Sequence, residues 1–300
     1  MHGIADHIDG FVADLKRRNF RPNTVRAYAA DLRTIAHHLT TPLDQITLTA
    51  VEVVFDALAT APATAARRGA SLNRFFIWAK KQSLCTSNPL ADREPVRRVT
   101  RRLPRPVRST TDLALLDQAI GAASQPYRLI FTILRETGVR VSEVLVLQRA
   151  DVSLEPGREG LRIREPKNGA ERIAPLGAKA TPKSLRGLRT WLKEFKAQPG
   201  YVPLFRSNRG TAVSYAAAQY QWTKLCTAAG LIDEVAGQHH PRYTIHQLRH
   251  TRGSELTQQG QPLEIVQRVL GHRDIRSTQG YAELDDLQVR TALEQPPRHQ

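Results

Sequence analysis

Apolar residues return at every third or fourth position from the start of the chain. Ile4, Ile8, Phe11, Val12 and Leu15 form one stripe, and Val25, Tyr28, Leu32 and Ile35 form a second in a run that opens at Pro22. This spacing follows the turn of an α-helix, so each stripe predicts an amphipathic helix with one face in a core. A shorter helix is predicted after Thr49. A fourth runs from about Ala63 through Leu72, Phe75, Phe76 and Trp78 and stops before Asn88-Pro89, because the residue preceding a proline avoids helical backbone. Residues 1–91 therefore read as a compact four-helix domain.

The pattern then breaks. Between Asp92 and Arg108 stand Arg93, Arg97, Arg98, Arg101, Arg102, Arg105 and Arg108, with Pro95, Pro104 and Pro106 and two acidic residues. Proline this dense excludes a regular helix or central strand, so residues 92–108 read as an extended basic linker. Helical periodicity resumes at about 111–123 and 126–136, with a third helix after Gly138. Alternation replaces it in Leu161-Arg162-Ile163-Arg164-Glu165 and Arg172-Ile173-Ala174-Pro175. Between them Lys167-Asn168-Gly169 supplies a hairpin signal, because Asn and Gly both accept positive φ. From Pro182 onward the pattern is helical, and Leu263, Ile265, Val266, Val269 and Leu270 form a core series. Residues 109–300 thus predict a mainly α domain with a small β-sheet.

At 300 residues the chain has length for about two domains. Its formal net charge of +16, with arginine outnumbering lysine, suits a polyanion, since the guanidinium fork binds phosphate through two parallel bonds. Nucleic acid is the expected partner. No apolar run approaches the ~20 residues needed to span a bilayer, and the N-terminus is unlike a signal peptide, so a cytoplasmic, nucleoid-associated protein is expected. Cys85 and Cys226 are far apart and outside any paired spacing, which gives no sign of a disulfide framework or a cysteine-rich zinc site.

The candidate chemistry gathers late in the chain. His246, Arg249 and His250 fall at i, i+3 and i+4, the spacing of one helical face, and such a face can grip a phosphate. Tyr281 follows. A phenol with pKa near 10 is only about 0.1% ionised at neutral pH, so it serves as a nucleophile only where the transition state is strongly stabilised. Cations do that work in place of a metal. Other roles are open to the same residues: Arg140 and Glu143 have the spacing of a helix-surface ion pair, Lys167 that of a solvated turn lysine, and His250 that of a packed structural histidine. The His246/His250 pair also has zinc-helix spacing, but Gln247 stands where a metalloprotease has glutamate. No metal or other cofactor is expected.

Five motifs occur together: Thr137-Gly138-Val139-Arg140-Val141-Ser142-Glu143, Lys167 before Glu171-Arg172-Ile173-Ala174-Pro175, His246-Gln247-Leu248-Arg249-His250, Leu270-Gly271-His272, and Thr278 before Tyr281. In order and spacing they resemble the tyrosine recombinase, or phage integrase, family. The N-terminal half is similar to that family's core-binding domain, so the resemblance covers nearly the whole chain. It implies a helical SAM-like domain and a catalytic domain that form a C-shaped DNA clamp. Tyr281 would attack the scissile phosphate to give a 3′-phosphotyrosine. Arg140, Arg249 and His272 would hold the non-bridging oxygens, Lys167 would protonate the leaving 5′ oxygen, and His246 would assist proton transfer. Glu143 and His250 would support the site. Arg252 and Gly253 depart from the family's usual apolar and alanine residues.

The resemblance further implies site-specific recombination through a Holliday junction by a homotetramer on two synapsed duplexes, with a monomer or dimer when free. A second recombinase or a directionality factor is compatible with that reading. The helical lobe begins almost at Met1, which points to a simple, Xer-like layout without an arm-site domain. Arg67, Arg68 and Arg74, on a face with Thr64 and Ser71, and Arg97, Arg98, Arg101 and Arg102 in the linker are the candidate DNA contacts. Two alternatives share the basic, bilobal character: a type IB topoisomerase-like enzyme and a non-catalytic DNA-binding accessory protein.

Overall fold

The computed structural model describes residues 2–58, 61–93, 104–164, 171–195, 199–235 and 237–271. The chain divides into two compact units, Met1–Arg101 and Arg102–Gln300.

The first unit contains α1 (Ile4–Arg17), α2 (Pro22–His38), α3 (Leu48–Ala57) and α4 (Pro62–Lys81). Their starts follow from sequence. Proline opens α2 and α4, where its missing N–H would have had no intrahelical partner. Thr47 caps α3, its Oγ1 accepting the Ala50 N–H at 3.2 Å. The apolar stripes of α1 and α2 meet α4 in a core where the rings of Phe11, Phe75 and Trp78 stand with centroids 5.6–5.7 Å apart. Burial of each such side chain contributes about 1.5–3 kcal/mol, enough that the sequence pattern alone determines which faces turn inward.

The second unit is built around α6 (Tyr127–Thr137), whose Leu129, Ile130, Phe131, Ile133 and Leu134 are all buried. Around it pack α5 (Thr110–Ala122), α8 (Pro182–Trp191) and α10 (Ile245–Gln258). From α9 (Tyr215–Ala228), Trp222 meets Phe131 edge to face, with centroids 5.2 Å apart. The short α7 (Val141–Val144) and the terminal α11 (Leu263–Leu270) complete the α-helices among the described residues. An antiparallel sheet in the order β1 (Val152–Ser153), β2 (Gly160–Ile163), β3 (Arg172–Pro175) lies beside them. Its register sets Leu161 opposite Ala174 and Ile163 opposite Arg172. Directly opposed residues share a face, and Leu161, Ile163 and Ala174 are buried, so Arg172 lies on the inward face.

Three expectations need correction. The helical reading from Pro182 onward is interrupted by a second hairpin, β4 (Ile232–Val235) and β5 (Gln238–Pro241). Asp233, Glu234, His239 and His240 are exposed on it, so no apolar alternation marks the strands; the cue was Gly237, at a φ of 74°. The two-residue β1 is too short to leave a periodic signal. Nor is the series on α11 all core: Val266 and Leu270 are buried, but Ile265 is 45% exposed, because the helix covers its neighbours with one face only.

Candidate active site

The first half of the site grows from the end of α6. Gly138 terminates that helix at a φ of 68°, and a β-carbon there would lie 2.6 Å from the Leu270 side chain and 3.3 Å from Arg252. Only glycine fits both constraints. The chain then passes through buried Val139 to Arg140, the N-cap of α7. Glu143 Oε2 accepts the Arg140 backbone N–H at 3.0 Å, while Oε1 accepts its Nη1 at 2.9 Å. The i, i+3 pair is therefore real but is no surface ornament. Glu143 is 3% exposed, and the Arg140 side chain 15%.

The second half comes from α10. Thr244 caps this helix, its N–H donating to Gln247 Oε1 at 2.8 Å. The residue standing where a zinc helix would carry glutamate is thus engaged in a capping box. One turn on, Arg249 is 3% exposed and donates from Nη1 to the Gly138 carbonyl at 2.7 Å. That bond ties the α10 arginine to the turn that presents Arg140. His246 is exposed and His250 half-buried, their rings edge to face with centroids 4.7 Å apart. Burial, then the neighbouring His246 and Arg249, pushes the His250 imidazole down to about 4, so it is neutral at physiological pH. Tyr243, just before the helix, donates its hydroxyl to Asp112 at 2.7 Å. Burial and that carboxylate push its phenol up to about 12, which disfavours the ionised form a nucleophile needs.

Sequence reasoning missed Arg172, which donates from Nη2 to Glu143 Oε2 at 2.9 Å. The available signal was parity: two-residue alternation sets Arg172 on the same face as Ala174, a core-facing position for a cation. Arg140, Arg172 and the turn bound by Arg249 thus surround a single carboxylate, leaving positive charge in excess. That is the electrostatic requirement for holding a phosphate. Lys167, His272 and Tyr281 lie outside the described residues, as do Arg97, Arg98, Arg101 and Arg102. Among the described residues no cluster of three His, Cys, Asp or Glu side chains could hold a metal ion.

In the first unit the candidate DNA face is reorganised by Asp31, which is 3% exposed. Ser71, expected on that face, is fully buried and donates to Asp31 Oδ2 at 2.7 Å. Arg67 also bonds Asp31 and keeps its side chain 45% exposed, whereas Arg68 is 15% exposed with Nε 4.0 Å from the same carboxylate. The Arg74 guanidinium sits 5.1 Å from the centre of the Phe20 ring. A buried acid below the helix surface engages Arg67, Arg68 and Ser71, which helical spacing alone could not reveal.

The sequence model of the phage integrase family matches residues 112–288, and that of the phage integrase N-terminal SAM-like domain matches residues 8–83. Tyrosine recombinase XerC of Chromobacterium violaceum is 30% identical over 283 residues, spanning 92% of this chain and 89% of its own. Tyrosine recombinase XerC of Mycobacterium sp. (strain JLS) is 30% identical over 311 residues and 98% of each chain. Among solved structures, XerH site-specific recombinase bound to palindromic difH substrate aligns with a TM-score of 0.69 at 21% identity, over 94% of this chain and 84% of its own. A lambda integrase dimer bound to a COC′ core site gives 0.68 at 19% identity, over 89% and 94%. The two-domain, mainly helical layout with a small sheet is the fold of those recombinases. By its motifs, its fold and these matches, the chain belongs to the phage integrase family, the tyrosine recombinases.

Proposed function

We propose that this recombinase cuts and rejoins specific duplex sites through a 3′-phosphotyrosine at Tyr281, without metal or ATP. The observation that carries the reading is the joining of two arginines within the second unit: buried Arg249 of α10 is bonded to the Gly138 turn that presents Arg140, whose side chain is 15% exposed. Held this way, both guanidiniums are preorganised for the non-bridging oxygens, where negative charge develops. Loss of one such donor costs about 3–4 kcal/mol, or roughly 10²–10³ in rate.

In the forward step the Tyr281 oxygen bonds to phosphorus as the 5′ oxygen departs. Lys167 delivers the proton to the departing oxygen, His246 receives the one from the phenol, and His272 donates a hydrogen bond to the phosphate. A neutral imidazole suits the His246 role because its ordinary pKa lies near neutrality. The phosphodiester bond energy is kept in the tyrosyl ester, so a 5′ hydroxyl from a partner strand reverses the step and exchanges strands.

Residues 1–91 act as a core-binding domain, 92–108 as a basic linker and 109–300 as the catalytic domain. Arg67, Arg68 and Arg74, with Arg97, Arg98, Arg101 and Arg102, supply phosphate contacts whose strength falls with salt. A homotetramer on two synapsed sites resolves a Holliday junction, and the enzyme works in the cytoplasm in association with the nucleoid. The test is incubation with a genomic fragment library and recovery of protein-linked fragments. Their recovery from wild type, and their disappearance with Tyr281→Phe, is the expected result and identifies the target site. Adducts that persist in Tyr281→Phe overturn the assignment.

A further inference from the structure

We propose that Arg172 is a positioning residue of the phosphate-binding site, set to offset the charge of Glu143 so that Arg140 remains a net cation toward the scissile phosphate. The inference rests on the strand-transfer reading above.

Its basis is an arrangement that stability alone does not explain. Arg172 lies on the inward face of β3, opposite buried Ile163. Its Nη2 reaches two acceptors, Glu143 Oε2 at 2.9 Å and the Leu270 carbonyl at 3.3 Å, while Nε and Nη1 are buried with no hydrogen-bond partner among the described residues. Desolvation is the largest influence on this guanidinium and lowers its pKa; Glu143 pulls it back up and Arg140 lowers it further. A buried ion pair with unsatisfied donors gives a fold little that an apolar side chain would not. The chain nevertheless accommodates it closely. Gly271 adopts a φ of 66°, and a β-carbon there would fall 2.6 Å from Arg172 Cζ and 2.7 Å from Nη2. Glycine at the end of α11 is what lets the guanidinium lie against the backbone.

The consequence is electrostatic. Glu143 divides its oxygens, Oε1 to the Arg140 side chain and Oε2 to the Arg140 amide and Arg172. Were Arg172 absent, one buried carboxylate would face one guanidinium, and the pair would present the incoming phosphate with almost no net charge. Arg172 restores the second cation. It also fixes the Glu143 rotamer from a strand and a helix end that are separate in sequence, so the carboxylate that bonds Arg140 Nη1 is itself held in place. Arg172 touches no reacting atom in this scheme; it acts through Glu143 and Arg140.

The test measures covalent adduct formation in single turnover, at saturating protein, on two nicked suicide duplexes. One carries an ordinary scissile phosphate and the other a methylphosphonate, which has no negative charge for Arg140 to meet. Arg172→Ala should bind both duplexes as wild type does, lose roughly 10²-fold in rate on the phosphate, and lose far less on the methylphosphonate. Arg172→Gln retains a donor for Glu143 without the charge and should give the same split; thermal melting of both variants selects the one that is folded. Gly271→Ala, which displaces the guanidinium, should follow Arg172→Ala. A wild-type rate in the folded variant overturns the inference, as does an equal loss on both substrates, which would mark a merely structural residue. Wild type that binds the ordinary duplex yet forms no adduct overturns the strand-transfer reading itself.

Discussion

Each unit of this recombinase buries one carboxylate among arginines, and the two are used differently. Asp31 and Glu143 are both 3% exposed. Asp31, on α2, gathers Arg67 and Ser71 from α4 and so fastens two helices of the core together. Glu143 gathers Arg140 from its own helix start and Arg172 from β3, and so fastens the candidate phosphate site. The cost of burying the acid is met the same way in both, by charge-assisted hydrogen bonds. What differs is the outlet for the positive charge. Arg67 leaves 45% of its side chain to solvent, whereas Arg140 leaves 15%. An exposed guanidinium on a helix suits a hydrated DNA backbone; a nearly enclosed one suits a single phosphate in a transition state, where low dielectric magnifies its effect.

The two carboxylates part most clearly at the arginines proposed to be catalytic. Arg140→Ala and Arg249→Ala should each keep duplex affinity by gel shift yet form adduct roughly 10²–10³ more slowly. Either mutant cleaving at the wild-type rate would remove that arginine from the site. Asp31→Ala should do the opposite, destabilising the first unit by about 3 kcal/mol in denaturant melts while leaving the cleavage rate of the bound complex intact. A slow rate in folded, bound Asp31→Ala would mean that the two carboxylates are not separate in function. Gly138→Ala forces a side chain into left-handed backbone and onto Leu270, at a cost of about 1–2 kcal/mol before repacking. It should lower both melting temperature and cleavage, because Arg249 bonds this residue's carbonyl.

The smallest effect concerns acid. His250 falls from an ordinary 6.5 to about 4 in the folded chain, so the unfolded chain takes up a proton first as pH drops. Its contribution is therefore intact above about pH 6.5 and is lost progressively toward pH 4. Melting temperature followed across that window should fall less steeply in His250→Gln. An unchanged slope would show that this imidazole is not desolvated as described.

Much of this was legible because large apolar side chains recur at helical spacing. Phe11, Phe75, Phe76 and Trp78 fix the first core, and Leu129 to Leu134 the second, so the four helices of the first unit and the opening helices of the second follow from the pattern. The candidate site was legible where local chemistry writes it: Gly138 at a helix end, Arg140 and Glu143 at helical spacing, and Arg249 on a helix with His246. What remained hidden depends on partners distant in sequence. Ser71 is a surface residue by periodicity until Asp31 is placed beneath it. Arg172 is an ordinary strand arginine until β2 and β3 are paired and α11 ends against it. The β4–β5 hairpin, polar on both faces, carries no periodic signal at all.

The central claim is that arginines replace a metal around a tyrosine nucleophile. It is tested most directly by incubating the protein with a nicked suicide duplex in excess EDTA and mapping any linked peptide by mass spectrometry. A DNA 3′ end esterified to Tyr281 is expected, at the same yield as with magnesium. Cleavage that appears only with a divalent ion, and that releases ends free of protein, would contradict it.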